Sequence, residues 1–314
     1  MEVFTKENLL QVHERIKPFI HETPILTSSL INEIADCSIH FKCENFQKMG
    51  AFKMRGATNA ILQLNKENQQ KGVVTHSSGN FAQALSLAAK SLGVSAYIVM
   101  PSNAPQVKKN AVKTYGGTII ECPPTLKDRE ETAQKIVEER GASFIHPSND
   151  IDVILGQGTA ALELLQKKPN LDYVITPVGG GGLIGGTALA VNLFTEETKT
   201  IGAEPFEVDD AYRSLISGKI ETNKTINTIA DGLKTQLGDK NFPIIQKHVE
   251  EIIRVSEDEI INALKLIWER MKIIVEPSSA VALAAILKEP VKFKNRQIGL
   301  IISGGNVDLK NIIF

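Results

Sequence analysis

A lysine among apolar neighbours, in Gly50-Ala51-Phe52-Lys53-Met54-Arg55-Gly56-Ala57, is either an exposed helix residue or a buried amine. A buried amine holds its proton less tightly, which suits Schiff-base chemistry. Four consecutive glycines, Gly179-Gly180-Gly181-Gly182, are costly in backbone entropy. Their use is close backbone approach, and their N–H groups ahead of a helix form a cradle for a phosphate. Ser77-Ser78-Gly79-Asn80 reads first as a cap for the helix starting near Phe81, leaving one hydroxyl and one amide to face a ligand. Ser303-Gly304-Gly305-Asn306 is either a tight turn or a hydroxyl that meets a ring nitrogen.

Other groups carry competing readings. Glu204, Asp209 and Asp210 are either surface acids favouring a helix start or ligands of a hard cation such as Mg2+ or Ca2+. Gly180, Gly182 and Gly185 also satisfy G-x-G-x-x-G, with Glu204 downstream for a ribose, so an NAD-dependent oxidoreductase competes. That match sits mid-chain, and a single phosphate is the simpler ligand. The six histidines show no metal-ligand spacing, and only His76 adjoins a motif. Cys37, Cys43 and Cys122 form no CxxC pair and fit a reducing compartment, although charge flanks Cys43 and marks it as a candidate reactive thiol.

These loops need elements to position them. Short β-branched runs at 40–43, 72–76, 96–100, 118–122, 173–178, 200–203, 252–255 and 297–302 alternate with amphipathic stretches at 81–92, 128–140, 158–166 and 183–194. Ser256 and Glu259 form a capping box for a helix running to about Met271. Such alternation predicts an α/β fold built on mostly parallel, helix-covered sheets. Ligands of such sheets bind at carboxyl strand ends. Five polar loops, 75–80, 178–182, 203–210, 276–280 and 303–306, are expected to share one site. The net charge of −1 and the absence of a long apolar run argue against nucleic acid and membrane partners. Met1–Lys6 lacks a secretory pattern, so a cytoplasmic protein is expected.

In this order the motifs resemble the fold-type II pyridoxal-phosphate (PLP) enzymes, and among them the serine racemase and serine/threonine dehydratase family. The likeness runs from Thr23-Pro24-Ile25-Leu26-Thr27-Ser28 through Lys42-Cys43-Glu44-Asn45-Phe46-Gln47 to Ser303-Gly304-Gly305-Asn306-Val307-Asp308. It implies that Lys53 holds the cofactor, Phe52 packs beside its ring, Asn80 bonds the phenolic oxygen, the amides of Gly179–Gly182 hold the phosphate and Ser303 faces the pyridine nitrogen. Ser77, Ser78, Gly79 and Asn80 would bind the substrate carboxylate. It implies two domains, a large one from 1–71 and 149–314 and a small one from 72–148 that closes over the cofactor.

The likeness also bears on the reaction. Racemisation needs a proton carrier on each face of the α-carbon. Lys53 would serve one and Ser78 the other, where threonine deaminases would carry Ala. Ala203-Glu204-Pro205 matches racemase-like members, in which Glu204, the Val208 carbonyl and Asp210 would bind Mg2+, Ca2+ or Mn2+. Serine racemase activity with β-elimination to pyruvate and ammonia is therefore expected. A dehydratase for L-threo-3-hydroxyaspartate or threonine is the alternative, and a non-catalytic ligand-binding protein the third. A homodimer is implied. ATP, which binds animal members near the dimer interface, has loosely matching candidates in Ser28, Ser29, Lys48, Gln83, Lys108, Tyr115 and Asn306. Phe81 departs from the usual family histidine, and Lys48-Met49 departs from the animal pattern. Little chain follows Asn306, so the isoleucine-sensing domain of biosynthetic threonine deaminases is not expected.

Overall fold

A computed structural model describes residues 4–309. Part of the Met1–Lys6 stretch therefore lies outside the described residues. Ten strands form two sheets: β1 (Ile25–Leu26), β2 (Ser38–Cys43), β3 (Val73–His76), β4 (Ala96–Pro101), β5 (Thr118–Cys122), β6 (Ser143–Phe144), β7 (Tyr173–Pro177), β8 (Lys199–Pro205), β9 (Val249–Val255) and β10 (Gln297–Ile302).

The larger sheet has the order β1-β2-β10-β7-β8-β9, and the smaller one β5-β4-β3-β6. All pairs are parallel except β1 with β2. The α/β expectation is met, and the eight expected strands all occur. Two were missed, β1 and β6, because two residues carry no alternation to read.

Burial explains the arrangement. In β10 every residue after Gln297 is buried, as a parallel strand covered on both faces requires. The helix Pro277–Lys288 is apolar all round and lies within the largest core cluster, against Phe41, Ile298 and Leu300. The expected capping box is present: Ser256 Oγ accepts from Glu259 N–H, and Glu259 reaches back to Ser256 N–H. No helix among the described residues is long and apolar enough to cross a membrane.

Two local expectations need correction. The helix Asn80–Leu92 has Gly79 at its cap and no side-chain cap bond, because Asn80 is engaged across the site. The loop 276–280 follows no strand. It opens the helix Pro277–Lys288, with Glu276 at the cap position.

Candidate active site

Lys53 is the first residue of the helix Lys53–Gln63. The turn before it is pinned to the end of β10: Phe52 N–H donates to Ser303 O at 3.0 Å, and Gly305 N–H donates to Gly50 O at 2.9 Å. Gly50 has φ +78°, and a Cβ there would stand 2.7 Å from Asn306 Oδ1, so both conformation and space demand glycine. Lys53 is thereby brought to the carboxyl end of β10.

The amine is partly buried and makes no ion pair with a carboxylate among the described residues. Lys53 Nζ donates to Pro147 O at 2.7 Å and lies 5.0 Å from the Phe52 ring and 5.7 Å from the Phe81 ring. Burial lowers its pKa to about 8, with the Glu276 charge opposing. Phe81 thus supplies part of the amine's apolar wall.

Asn80 Nδ2 donates to both Glu276 oxygens, at 3.0 and 3.1 Å, and Asn80 Oδ1 accepts from Asn306 Nδ2 at 2.9 Å. Three loops meet at this one amide. Glu276 is buried, which pushes it up to about 7. Ser303 Oγ lies 2.9 Å from Ser279 Oγ. Ser279 has one proton and donates it to Gly304 O at 2.7 Å, so Ser303 is the donor of the pair. Glu276 and Ser279 were not identified from sequence as site residues. Their only signal was membership of a polar loop.

The tetraglycine loop joins β7 to the helix Gly182–Phe194, and all four residues are buried. A Cβ would stand 2.9 Å from Leu233 Cα at Gly179, 2.4 Å from Ser148 Oγ at Gly180, 2.6 Å from Asn241 Oδ1 at Gly181 and 3.0 Å from Ser148 Cα at Gly182. Gly181 also needs φ +81°. Among the described residues, no protein acceptor takes the N–H groups of Gly179–Gly182. Buried donors left open in this way fit a phosphate.

The Ser77–Gly79 loop stands beside Asn80. Ser77 Oγ accepts from Gly79 N–H at 3.4 Å, and a Cβ at Gly79 would meet open space. His76 packs against Phe144 and His146, with ring centroids 5.4 and 5.8 Å away. His146 was missed. Its Nδ1 accepts from Asn149 N–H at 2.8 Å, leaving the proton on Nε2. Burial, reinforced by nearby His76 and Lys53, lowers its pKa to about 4.

The loop 203–210 stands apart from this convergence, contrary to expectation. Glu204 and Asp210 are both fully buried. Glu204 accepts from Ala211 N–H at 3.2 Å and Tyr212 N–H at 2.9 Å, which removes it as a ribose ligand. Asp210 Oδ2 accepts from Leu237 N–H at 3.0 Å, whereas Asp210 Oδ1 is buried without a partner among the described residues. Burial raises both pKa values, Asp210 to about 6, and the Asp210 charge adds to the rise at Glu204. Asp209 instead pairs with Arg213 and Arg254 at 2.7 and 2.9 Å. Val208 closes the short turn Phe206–Val208 between the two acids. No cluster of three or more His, Cys, Asp or Glu side chains suited to a metal occurs among the described residues.

No two side chains of the ATP candidates share a hydrogen bond among the described residues. Ser28 Oγ caps the helix Ser29–Ala35, Lys108 pairs with Asp231 at 2.6 Å, and Asn306 bonds Met49 O and Asn80. Cys43 is fully buried, and burial pushes its thiol up to about 12, so the reactive reading fails.

A partly buried amine with no ion-pair partner among the described residues, together with a buried glycine loop whose amides lack protein acceptors there, fits an α/β enzyme that binds a phosphorylated carbonyl cofactor. The chain belongs to the pyridoxal-phosphate dependent enzyme family, whose model matches residues 16–304. It is 52% identical to a serine racemase of Dictyostelium discoideum, over 99% of this chain and 98% of that protein. It is 50% identical to a beta-hydroxyaspartate dehydratase of Paracoccus denitrificans, over 99% of both. The structure of maize serine racemase superposes with a TM-score of 0.95 at 45% identity, covering 98% of this chain and 94% of that one. The chain is thus a PLP-dependent enzyme of the serine racemase and dehydratase group, and the nicotinamide reading is set aside.

Proposed function

We propose that the protein is a serine racemase that also eliminates water from serine, giving pyruvate and ammonia. The observation that carries this reading is the Ser77–Asn80 loop, tied through Asn80 and Glu276 to the pocket of Lys53, with the half-buried Ser78 hydroxyl on that loop as the second proton carrier. Bound PLP supplies the electron sink that acidifies the substrate α-hydrogen. Lys53 takes or returns that proton on one face, and its lowered affinity for protons keeps free amine available near neutral pH. Ser78 serves the opposite face. The four glycine amides would hold the phosphate, Asn80 would orient the phenolic oxygen, Phe52 would flank the ring, and the Ser303 hydroxyl would face the pyridine nitrogen. The N–H groups of Ser77–Asn80 bind the substrate carboxylate, and residues 72–148 act as the small domain that closes and excludes water.

Glu204, Asp210 and the Val208 carbonyl fit a hard divalent cation, because an unpartnered Asp210 oxygen lies in a buried, doubly acidic site. Its role is structural. A homodimer and a cytoplasmic location accord with the family likeness and with three free, buried cysteines. ATP activation is tested by whether Mg-ATP changes the elimination rate.

Pure protein given L-serine, D-serine or L-threo-3-hydroxyaspartate tests the reaction. It should be yellow, and borohydride should fix the cofactor on Lys53. If L-serine yields no D-serine, the racemase reading is lost, and the 50% identity to a beta-hydroxyaspartate dehydratase then favours that activity. Ser78→Ala should remove racemisation and leave much of the elimination from L-serine. Equal loss of both would overturn the two-carrier assignment.

A further inference from the structure

The polar segment 231–241 carries no role in the chemistry above, yet it touches both the carboxylate pair and the glycine loop. At one end, Leu237 N–H donates to Asp210 Oδ2 at 3.0 Å. From the same turn, Gly238 N–H donates to Asn241 Oδ1 at 3.1 Å. Asn241 is fully buried, and its Nδ2 donates to Gly180 O at 2.8 Å and Ser148 O at 3.2 Å. The Leu237 side chain closes the other flank: a Cβ on Gly181 would stand 2.7 Å from Leu237 Cδ2. Ser148 follows Pro147, whose carbonyl accepts from Lys53 Nζ. An unbroken path of hydrogen bonds and one packed turn therefore runs from Asp210 to the glycine cradle and to the partner of Lys53.

We propose that segment 231–241 is a strut that couples cation binding at Glu204 and Asp210 to retention of the cofactor phosphate, with Asn241 as the positioning residue. This rests on the cation and PLP readings above. Asn241 orients the Gly180 peptide, and with it the amides that face the phosphate. A cation on Asp210 fixes the position of Leu237 N–H and so the turn that carries Asn241. Without the cation, one oxygen of buried Asp210 has no partner among the described residues, and the carboxylate that anchors Leu237 N–H is held less firmly. Coupling of this kind is reciprocal, so the cofactor also tightens the cation.

The test follows loss of absorbance above 400 nm as the yellow holoenzyme is dialysed against excess EDTA or saturating Mg2+. In the wild type, EDTA should speed PLP loss by about tenfold, within the usual range of coupling between sites. In Asn241→Ala, loss should be fast in both buffers, with a ratio below about twofold, while equilibrium dialysis shows Mg2+ still bound. A residue that only supported the fold would weaken retention and keep the ratio. Should Asn241→Ala fail to fold, Leu237→Ala decides. It keeps the N–H on Asp210 and removes the packing on Gly181, so the ratio should fall by at least half. A wild-type ratio of one with Mg2+ bound overturns the strut alone, as does an unchanged ratio in the variants. Failure of Mg2+, Ca2+ and Mn2+ to bind overturns the cation site and the strut together.

Discussion

Two buried acidic regions, one behind Lys53 and one at Glu204 and Asp210, are solved in opposite ways. Behind Lys53, Arg55 bonds Glu44 at 2.7 and 2.8 Å and Glu163 at 2.7 and 2.8 Å. Lys42 Nζ donates to Glu163 at 2.5 Å and to Thr23 O at 2.8 Å. Two cations face two carboxylates there, and all four side chains are buried. At Glu204 and Asp210, two buried carboxylates face backbone N–H groups, and Asp210 Oδ1 has no hydrogen-bond partner within normal geometry among the described residues. The first cluster is neutralised by the chain itself. The second has no cationic side chain bonded to it among the described residues, and the Arg213 charge reaches Asp210 only through space. Burial alone therefore does not separate a structural charge from a ligand site. The count of opposite charges around it does.

The largest effect expected from breaking this contrast is on the balanced side. Arg55→Met leaves Lys42 as the one remaining buried cation against Glu44 and Glu163 among the described residues, and should cost about 3–5 kcal/mol of unfolding free energy. Denaturant titration of the holoenzyme at neutral pH measures it. Asp210→Asn in EDTA should do the reverse of what its equal burial suggests, with little loss or a small gain, because it removes a buried charge that has no counter-ion. If both substitutions cost the same, the distinction between the two regions collapses.

Next in size is the cation itself. At about a hundred times its dissociation constant, Mg2+ or Ca2+ should add about 2.7 kcal/mol to the wild type. For a chain of this length that corresponds to a rise of several degrees in melting temperature. Arg55→Met should keep the increment and Asp210→Asn should lose it. An increment surviving in Asp210→Asn would move the cation elsewhere.

The contrast also bears on what the chain reveals before it folds. The lysine motif, the four glycines and the Ser256–Glu259 box are local patterns, so they could be picked out from residue order alone. Glu276 was not, because its bond to Asn80 spans 196 residues. Asn241 was hidden for the same reason, reaching Gly180 across 61 residues. Arg55 was quoted only as a neighbour of Lys53, although its partner Glu163 lies 108 residues on. The sheet order, with β10 between β2 and β7, is what brings these pairs together. Conversely, loop 203–210 resembled the other polar loops, and only its placement separated it from them.

The smallest expected effect lies at the edge of the balanced cluster. His13 Nε2 lies 3.2 Å from Glu163 Oε1, and with a carboxylate as acceptor that nitrogen must donate. Burial alone would raise the Glu163 pKa. The His13 hydrogen bond and the Arg55 charge outweigh it and hold Glu163 below the usual carboxylate range. A carboxylate depressed in the folded state stabilises it above the unfolded pKa, near 4.3, and that stability is lost as pH falls through the folded value. His13→Ala should therefore cost about 1 kcal/mol at neutral pH, the net worth of one hydrogen bond. It should also move acid unfolding to higher pH, because Glu163 then protonates more readily. Arg55 and Lys42 still face Glu163 in that variant, so the loss should stay well below that of Arg55→Met. Thermal melts between pH 3 and pH 7 read both quantities. An acid midpoint that does not move would mean that Arg55 and Lys42 alone hold Glu163 charged.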